Sequence, residues 1–203
     1  MKKMKEFRKI SVIGLGLIAS SICLTLRQKD PTIKIIGYDQ NKLVRNRAEK
    51  IGLCKVESNL DNAVSGSQLI ILCVPVGQMQ AVTQRLKKII EPGTTITDVG
   101  SVKLSVIEEI ESNIESVGGK YVPSHPIAGT EKSGPDAGYA GLFEGRWCIL
   151  TPTKKTNKKA LNSLETFWKF LGMQTKIMTP EHHDLVLAVT SHAPHLIAYT
   201  MVG

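Results

Sequence analysis

The sequence predicts an α/β fold: a doubly wound, mostly parallel sheet followed by the start of a helical region. Three observations carry this. Short apolar runs rich in β-branched residues alternate with stretches of helical period, and a glycine-rich turn joins the first run to the first helix. The last stretch of chain is long, helical and apolar, with no strand after it. Strands alternating with helices of about 10–15 residues require parallel crossovers, and so a sheet covered on both faces.

Residues 9–13 read as the first strand, and 17–28 as a helix presenting Ile18, Ile22, Cys23 and Leu26 on one face. A strand over 33–38 and a helix over 41–50 follow, with Gly52 placed to stop the helix. The run 68–73, QLIILC, is continuously apolar, as in strands buried on both faces of a parallel sheet. Residues 78–90 place Val82, Leu86, Ile89 and Ile90 at helical spacing before Pro92-Gly93. A strand at 94–97 leads to a helix at 102–114 with Val106, Ile107, Ile110 and Ile114 inward, and Tyr121-Val122 starts another short strand. From 126 to 145 the chain is irregular and glycine-rich, which suits a loop over a site. A strand at 147–150 and a helix at 157–171 with Leu161, Leu164, Phe167, Trp168 and Leu171 on one face come next, closed by Gly172. Residues 175–178 form the last strand. Thr179 caps a helix with Pro180 at its first position; it is predicted to run to 202, kinked at Pro194.

With 42% apolar and 22% charged residues, the 203-residue chain has the composition of a protein with a packed core, not of a disordered one. Its four cysteines lie far apart with no CxxC, which supports neither a disulfide framework nor a zinc site and fits a reduced, cytoplasmic protein. The formal charge of +8 gathers at Lys2, Lys3, Lys5, Arg8 and Lys9 and again at Lys154, Lys155, Lys158 and Lys159. No helix carries a basic stripe interleaved with aromatics, which are only 5% of the chain, so nucleic acid is not the expected partner. A modest positive field would instead draw in an anionic metabolite.

The N-terminal cations followed by the uncharged run 10–26 imitate a signal peptide. Gly14 and Gly16 weaken that run as an apolar helix, and no small-residue cleavage site precedes Arg27. The run is also short for a membrane span of about 20 residues. A membrane anchor at 185–198 is equally disfavoured, because Ser191, His192, Pro194 and His195 interrupt it. That apolar run has nothing after it to pack against. The expected organisation is therefore one domain over 1–178 and, over 179–203, the first helix of a helical domain whose remainder is missing or supplied by a partner chain.

Gly14-Leu15-Gly16-Leu17-Ile18-Ala19 fits G-x-G-x-x-G/A directly after a strand and at the opening of a helix. The first glycine permits the turn, the second lets backbone approach a pyrophosphate, and the third small residue lets helix pack on strand. Asp39 stands about 20 residues beyond Ala19, where a carboxylate accepts from a ribose 2′-hydroxyl. Together these predict a Rossmann-like dinucleotide site. Asp39 would repel a 2′-phosphate, which favours NAD over NADP, although Arg45 and Arg47 leave NADP open.

All five histidines lie in the second half of the chain: His125, His182, His183, His192 and His195. His182 and His183 are roughly 14 Å from the 192–195 pair at about 1.5 Å per helical residue, so one ion cannot collect both, and no metal is expected. His125 follows a strand into the glycine-rich loop, and Asp98-Val99-Gly100-Ser101-Val102-Lys103 stands in the same relation to the preceding strand. Ligands of doubly wound sheets bind beyond the carboxyl ends of the strands. A histidine beside a nicotinamide is a natural base for a hydroxyl proton as hydride leaves carbon, with Ser101 placed to bond either partner.

GLGLIASS, Val74-Pro75-Val76, TDVGSVK at 97–103, HPIAGTEKSG at 125–134 and SHAPH at 191–195 together resemble the prephenate dehydrogenase family, in order and along essentially the whole chain. The resemblance implies a Rossmann-like domain followed by an all-helical dimerisation domain. It implies NAD-dependent oxidative decarboxylation of prephenate to 4-hydroxyphenylpyruvate in tyrosine biosynthesis, or the sister reaction on arogenate. It further implies His125 as the catalytic histidine and Ser101 as its companion. Thr130, Glu131, His183, Ser191 and His195 would line the substrate side. Gly14, Gly16, Leu17, Ile18, Ala19, Asp39, Val74, Pro75, Asp98, Gly100 and Ser101 would hold the cofactor. The family's arginine for the ring carboxylate, which Glu131 would neighbour, falls beyond residue 203. Two rivals stay open: an NAD-binding fragment without turnover, and a hydroxy-acid or imine reductase of the same plan, in which His125 would have no role.

Overall fold

The computed structural model describes residues 3–192, with side chains described through residue 190. Its central sheet has six parallel strands: β1 (Lys9–Ile13), β2 (Lys34–Tyr38), β3 (Lys55–Val56), β4 (Leu69–Leu72), β5 (Thr95–Asp98) and β6 (Lys120–Tyr121). They lie in the order β3-β2-β1-β4-β5-β6, so the order reverses between β1 and β4. Crossovers are made by α1 (Leu17–Lys29), α2 (Lys42–Lys50), α3 (Leu60–Val64), α4 (Met79–Leu86) and α5 (Leu104–Glu115).

Burial on both faces explains the unbroken apolar runs. In β4, Leu69 and Ile71 pack with α1 residues Ile22 and Leu26, whereas Ile70 and Leu72 pack with Leu86, Ile110 and Ile114 of α4 and α5. Side chains of a strand alternate across the sheet, so a strand with two covered faces needs an apolar residue at every position.

A second, three-stranded sheet joins β7 (Ser124–Pro126), β8 (Trp147–Leu150) and β9 (Gln174–Ile177) in that order. Here β7 runs antiparallel to β8, and β8 parallel to β9. The strands at 147–150 and 175–178 were expected, but β3, β7 and the separation of these strands into a second sheet were not: the sequence placed one short strand starting at Tyr121-Val122 and read 126–145 as irregular. Helix α6 (Lys158–Leu171) covers the α1 side, with Leu164, Phe167, Trp168 and Leu171 buried. Part of the glycine-rich segment lies on α1: Ser21 Oγ accepts from the Tyr139 N–H at 3.1 Å, and Thr25 Oγ1 donates to the Ala140 carbonyl at 2.8 Å. That cover is why α1 buries Ser20, Ser21 and Thr25 beside its apolar face.

Helix α7 (Pro180–Leu187) begins as expected, with Thr179 accepting from the His182 N–H, but passes into a π-helical turn at Ala188–His192. The remainder of the expected long helix, including the Pro194 kink, lies outside the described residues. Among the described residues no helix is long and apolar enough to cross a membrane.

Candidate functional site: a nucleotide cradle beside a buried histidine pair

The glycine turn closes the carboxyl end of β1 at the point where strand order reverses. Gly14 has φ +91°, and a Cβ there would lie 2.8 Å from the Cys73 carbonyl oxygen, so glycine alone fits. Gly16, the N-cap of α1, makes no side-chain cap, and a Cβ on it would meet nothing within 4 Å. The first N–H groups of α1 therefore open onto free space, the arrangement that receives a pyrophosphate. Asp39 is held in place on both carboxylate oxygens, by the Leu15 N–H at 2.9 Å and the Asn41 N–H at 2.8 Å. A cavity of about 470 Å³ runs along this edge, lined among others by Gly14, Gly16, Asp39, Val74, Pro75 and Arg85. The open helix mouth and fixed carboxylate fit a dinucleotide. Leu17 and Ile18 are half-buried in the first turn of α1, and Ala19 is fully buried beneath it.

Beyond β5 lies a polar cluster inside the protein. Lys103 and Asp98 form an ion pair with both side chains fully buried. The same Asp98 oxygen accepts from the Gly100 N–H at 2.8 Å, and the other accepts from the Tyr121 hydroxyl at 2.6 Å. Burial, then the charge of Asp98, raises the Tyr121 pKa well above 10, so the phenol stays a donor. Lys103 Nζ also donates to the Ser124 carbonyl at 2.9 Å, and Ser124 Oγ donates to the Asp98 carbonyl at 2.8 Å. These bonds tie the start of β7 to the end of β5, and so set His125 beside the turn that carries Gly100 and the exposed Ser101.

His125 is 9% exposed, and its Nδ1 lies 2.9 Å from Nε2 of His183, which is fully buried. The other nitrogen of His183, Nδ1, lies 2.7 Å from Asp184 Oδ1. Asp184 in turn accepts from the N–H groups of Lys103 at 2.8 Å and Leu104 at 2.9 Å, capping α5 from a distant segment. His183 was expected to face substrate; its side chain is fully buried, and protein groups engage both of its ring nitrogens. Thr130 and Glu131 are exposed on the chain after β7. The side chain of Ser191 and all of His195 lie outside the described residues. Sequence reasoning missed Lys103, Tyr121 and Asp184; the lysine stood inside a quoted motif, but nothing local marked it as buried.

Burial lowers the His183 pKa from its ordinary 6.5, outweighing the opposite pull of Asp184. The unfolded chain takes up a proton near pH 6.5 that the folded protein resists. Stability from this group is thus full above that pH and is lost as pH falls through it. Urea midpoints should drop between about pH 7.5 and about pH 5.5, and drop less in His183→Phe.

The family model for the prephenate dehydrogenase nucleotide-binding domain matches residues 22–177. The chain belongs to the prephenate dehydrogenase family. It is 41% identical over 201 residues to the cyclohexadienyl dehydrogenase of Zymomonas mobilis, covering 98% of this chain and 68% of that protein. It is 36% identical to the prephenate dehydrogenase of Bacillus subtilis, covering all of this chain but only 54% of the relative. The prephenate dehydrogenase of Aquifex aeolicus, solved with hydroxyphenyl propionate and NAD+, superposes with a TM-score of 0.91 at 33% identity, covering 98% of this chain and 70% of that one. Residues 22–177 therefore match the nucleotide-binding domain of a family of oxidoreductases that act on a small molecule. The chain thus spans roughly half to two thirds of the length of these relatives.

Proposed function

We propose that this chain is the NAD-binding and proton-accepting part of a prephenate dehydrogenase, acting in the cytoplasm in tyrosine biosynthesis. The observation that carries this is the placement of His125, held by β7 beside the turn after β5, at the carboxyl edge that also carries the nucleotide cradle. Bound NAD supplies the hydride acceptor. His125 takes the hydrogen bond of the ring hydroxyl and draws its proton as hydride leaves the same carbon. Loss of the ring carboxylate as CO₂ then delivers its electron pair to the ring, and His125 returns the proton to the phenolic oxygen. Ser101, Thr130, Glu131, Ser191 and His195 are assigned to the substrate side.

Several features support NAD over NADP. Asp39 presents a fixed carboxylate where a 2′-phosphate would sit. Arg45 is committed to the Asp39 and Gln40 carbonyls and lies over the Tyr38 ring at 5.9 Å. Arg47 pairs with Asp136 across the surface. The four free thiols suit a reducing compartment. We assign 1–178 to the nucleotide-binding domain and 179–203 to the first helix of a dimerisation domain. Leu185 and Val189, exposed on the last described turns, fit a homodimer formed through that region.

Reduction of NAD by the purified protein with prephenate tests this, with arogenate and NADP as parallel arms. Turnover with prephenate and NAD is the expected result; preference for arogenate would move the chain to the sister activity. Asp39→Asn should raise the KM for NAD by about 10-fold or more, the scale of a lost charged hydrogen bond, and narrow the preference over NADP.

A further inference from the structure

His183 and Asp184 are used by nothing in the reaction above, yet His183 is buried against its central group and half-buried Asp184 bonds the far side of the His183 ring. Their hydrogen bonds run in one direction only. Asp184 already accepts from two backbone N–H groups, and those bonds and the one from His183 hold its pKa below the usual carboxylate value despite burial. An ionised carboxylate only accepts, so His183 Nδ1, 2.7 Å away, must carry the hydrogen. Burial keeps His183 neutral, and a neutral imidazole protonated at Nδ1 has a bare acceptor at Nε2. The hydrogen between the two rings therefore sits on Nδ1 of His125, 2.9 Å away.

We propose that Asp184 and His183 are positioning residues that lock His125 in its Nδ1–H tautomer, making Nε2 the nitrogen that accepts the substrate proton. The rings meet edge to face, with centroids 5.1 Å apart and planes at 67°, so the same contact fixes the orientation of the His125 ring. Among the described residues, charged groups that act on His183 come from three elements. Asp184 lies on α7, Lys103 at the start of α5, and Asp98 at the end of β5. Cys148 on β8 is a buried neutral thiol, its pKa raised well above 9 by burial. The anchor of the relay is on α7, so the tautomer of a residue in the nucleotide-binding domain is set by the helix that leads out of it.

The inference rests on His125 being the proton acceptor, but its test does not depend on turnover. In protein labelled with ¹⁵N at histidine, above pH 7, His125 should show a protonated Nδ1 and a pyridine-type Nε2. The same spectrum should show His183 protonated at Nδ1. His183→Phe, which keeps a ring in the buried slot, should return His125 to exchange between both tautomers. In that variant kcat should fall by about 10²-fold or more while NAD affinity holds, since neither ring lies in the nucleotide cradle. A wild-type His125 protonated at Nε2 would overturn the proposal without any variant. So would a His125 tautomer left unchanged by His183→Phe. Failure to turn over prephenate, by contrast, would count against the functional reading and not against the relay.

Discussion

His125→Ala is expected to lower kcat with prephenate by about 10²–10⁴-fold, the contribution of a positioned general base. NAD affinity should be unchanged, because the cradle at Gly14, Gly16 and Asp39 makes no use of the imidazole. The change also strips the Nε2 of His183 of its partner, and an orphaned buried acceptor costs about 1–3 kcal/mol. A measurable loss of stability should therefore accompany the loss of rate. Steady-state kinetics alongside urea unfolding separates the two: a base predicts a kcat defect far larger than the stability change could produce at saturating substrate. A reductase that makes no use of His125 predicts retained activity.

The second large effect is thermodynamic. Lys103→Met should destabilise the protein by about 3–5 kcal/mol, a large share of the ~5–15 kcal/mol that holds a domain of this kind together. The cost arises because Asp98 stays behind, fully buried, with only the Gly100 N–H and the Tyr121 hydroxyl among the described residues to compensate its charge. The Ser124 carbonyl loses its donor as well. Adding Asp98→Asn removes the stranded charge, so the double variant should recover much of the loss. If both single variants and the double prove equally unstable, shape and not charge is what Lys103 contributes.

The parallel sheet was legible because burial on two faces leaves an unmistakable trace: β4 has no polar residue to interrupt it. The cradle was legible because the glycines, the strand before them and Asp39 are linked by fixed local distances. The strand at Ser124–Pro126 was not, since three residues ending in proline carry no period, and its pairing with Cys148–Leu150 is long-range. The histidine pair was hidden for the same reason. His125 and His183 are 58 positions apart, and their meeting depends on Asp184 docking onto α5. Periodicity reports which face of an element is buried; it says nothing about which distant polar group will meet it there. Lys103 shows the limit most sharply, because a lysine in a polar motif reads as surface until the ion pair that permits its burial is seen.

The cap that Asp184 places on α5 also bears on selectivity for anions. Helices α2, α3, α6 and α7 each begin with their own side chain, Asn41, Asn59, Asn157 or Thr179, accepting from the first turn. Helix α5 has no such residue of its own and is stoppered from outside, by a carboxylate that would repel any phosphate arriving there. Helix α4 also lacks a side-chain cap but is entered through a 3-10 turn, in which the Met79 N–H bonds the Val76 carbonyl, whereas α1 is left with an open mouth. A doubly wound sheet offers a diphosphate several helix ends along one edge, and here the rival berth beside β5 is already taken. The cofactor finds its place partly because the neighbouring one is refused.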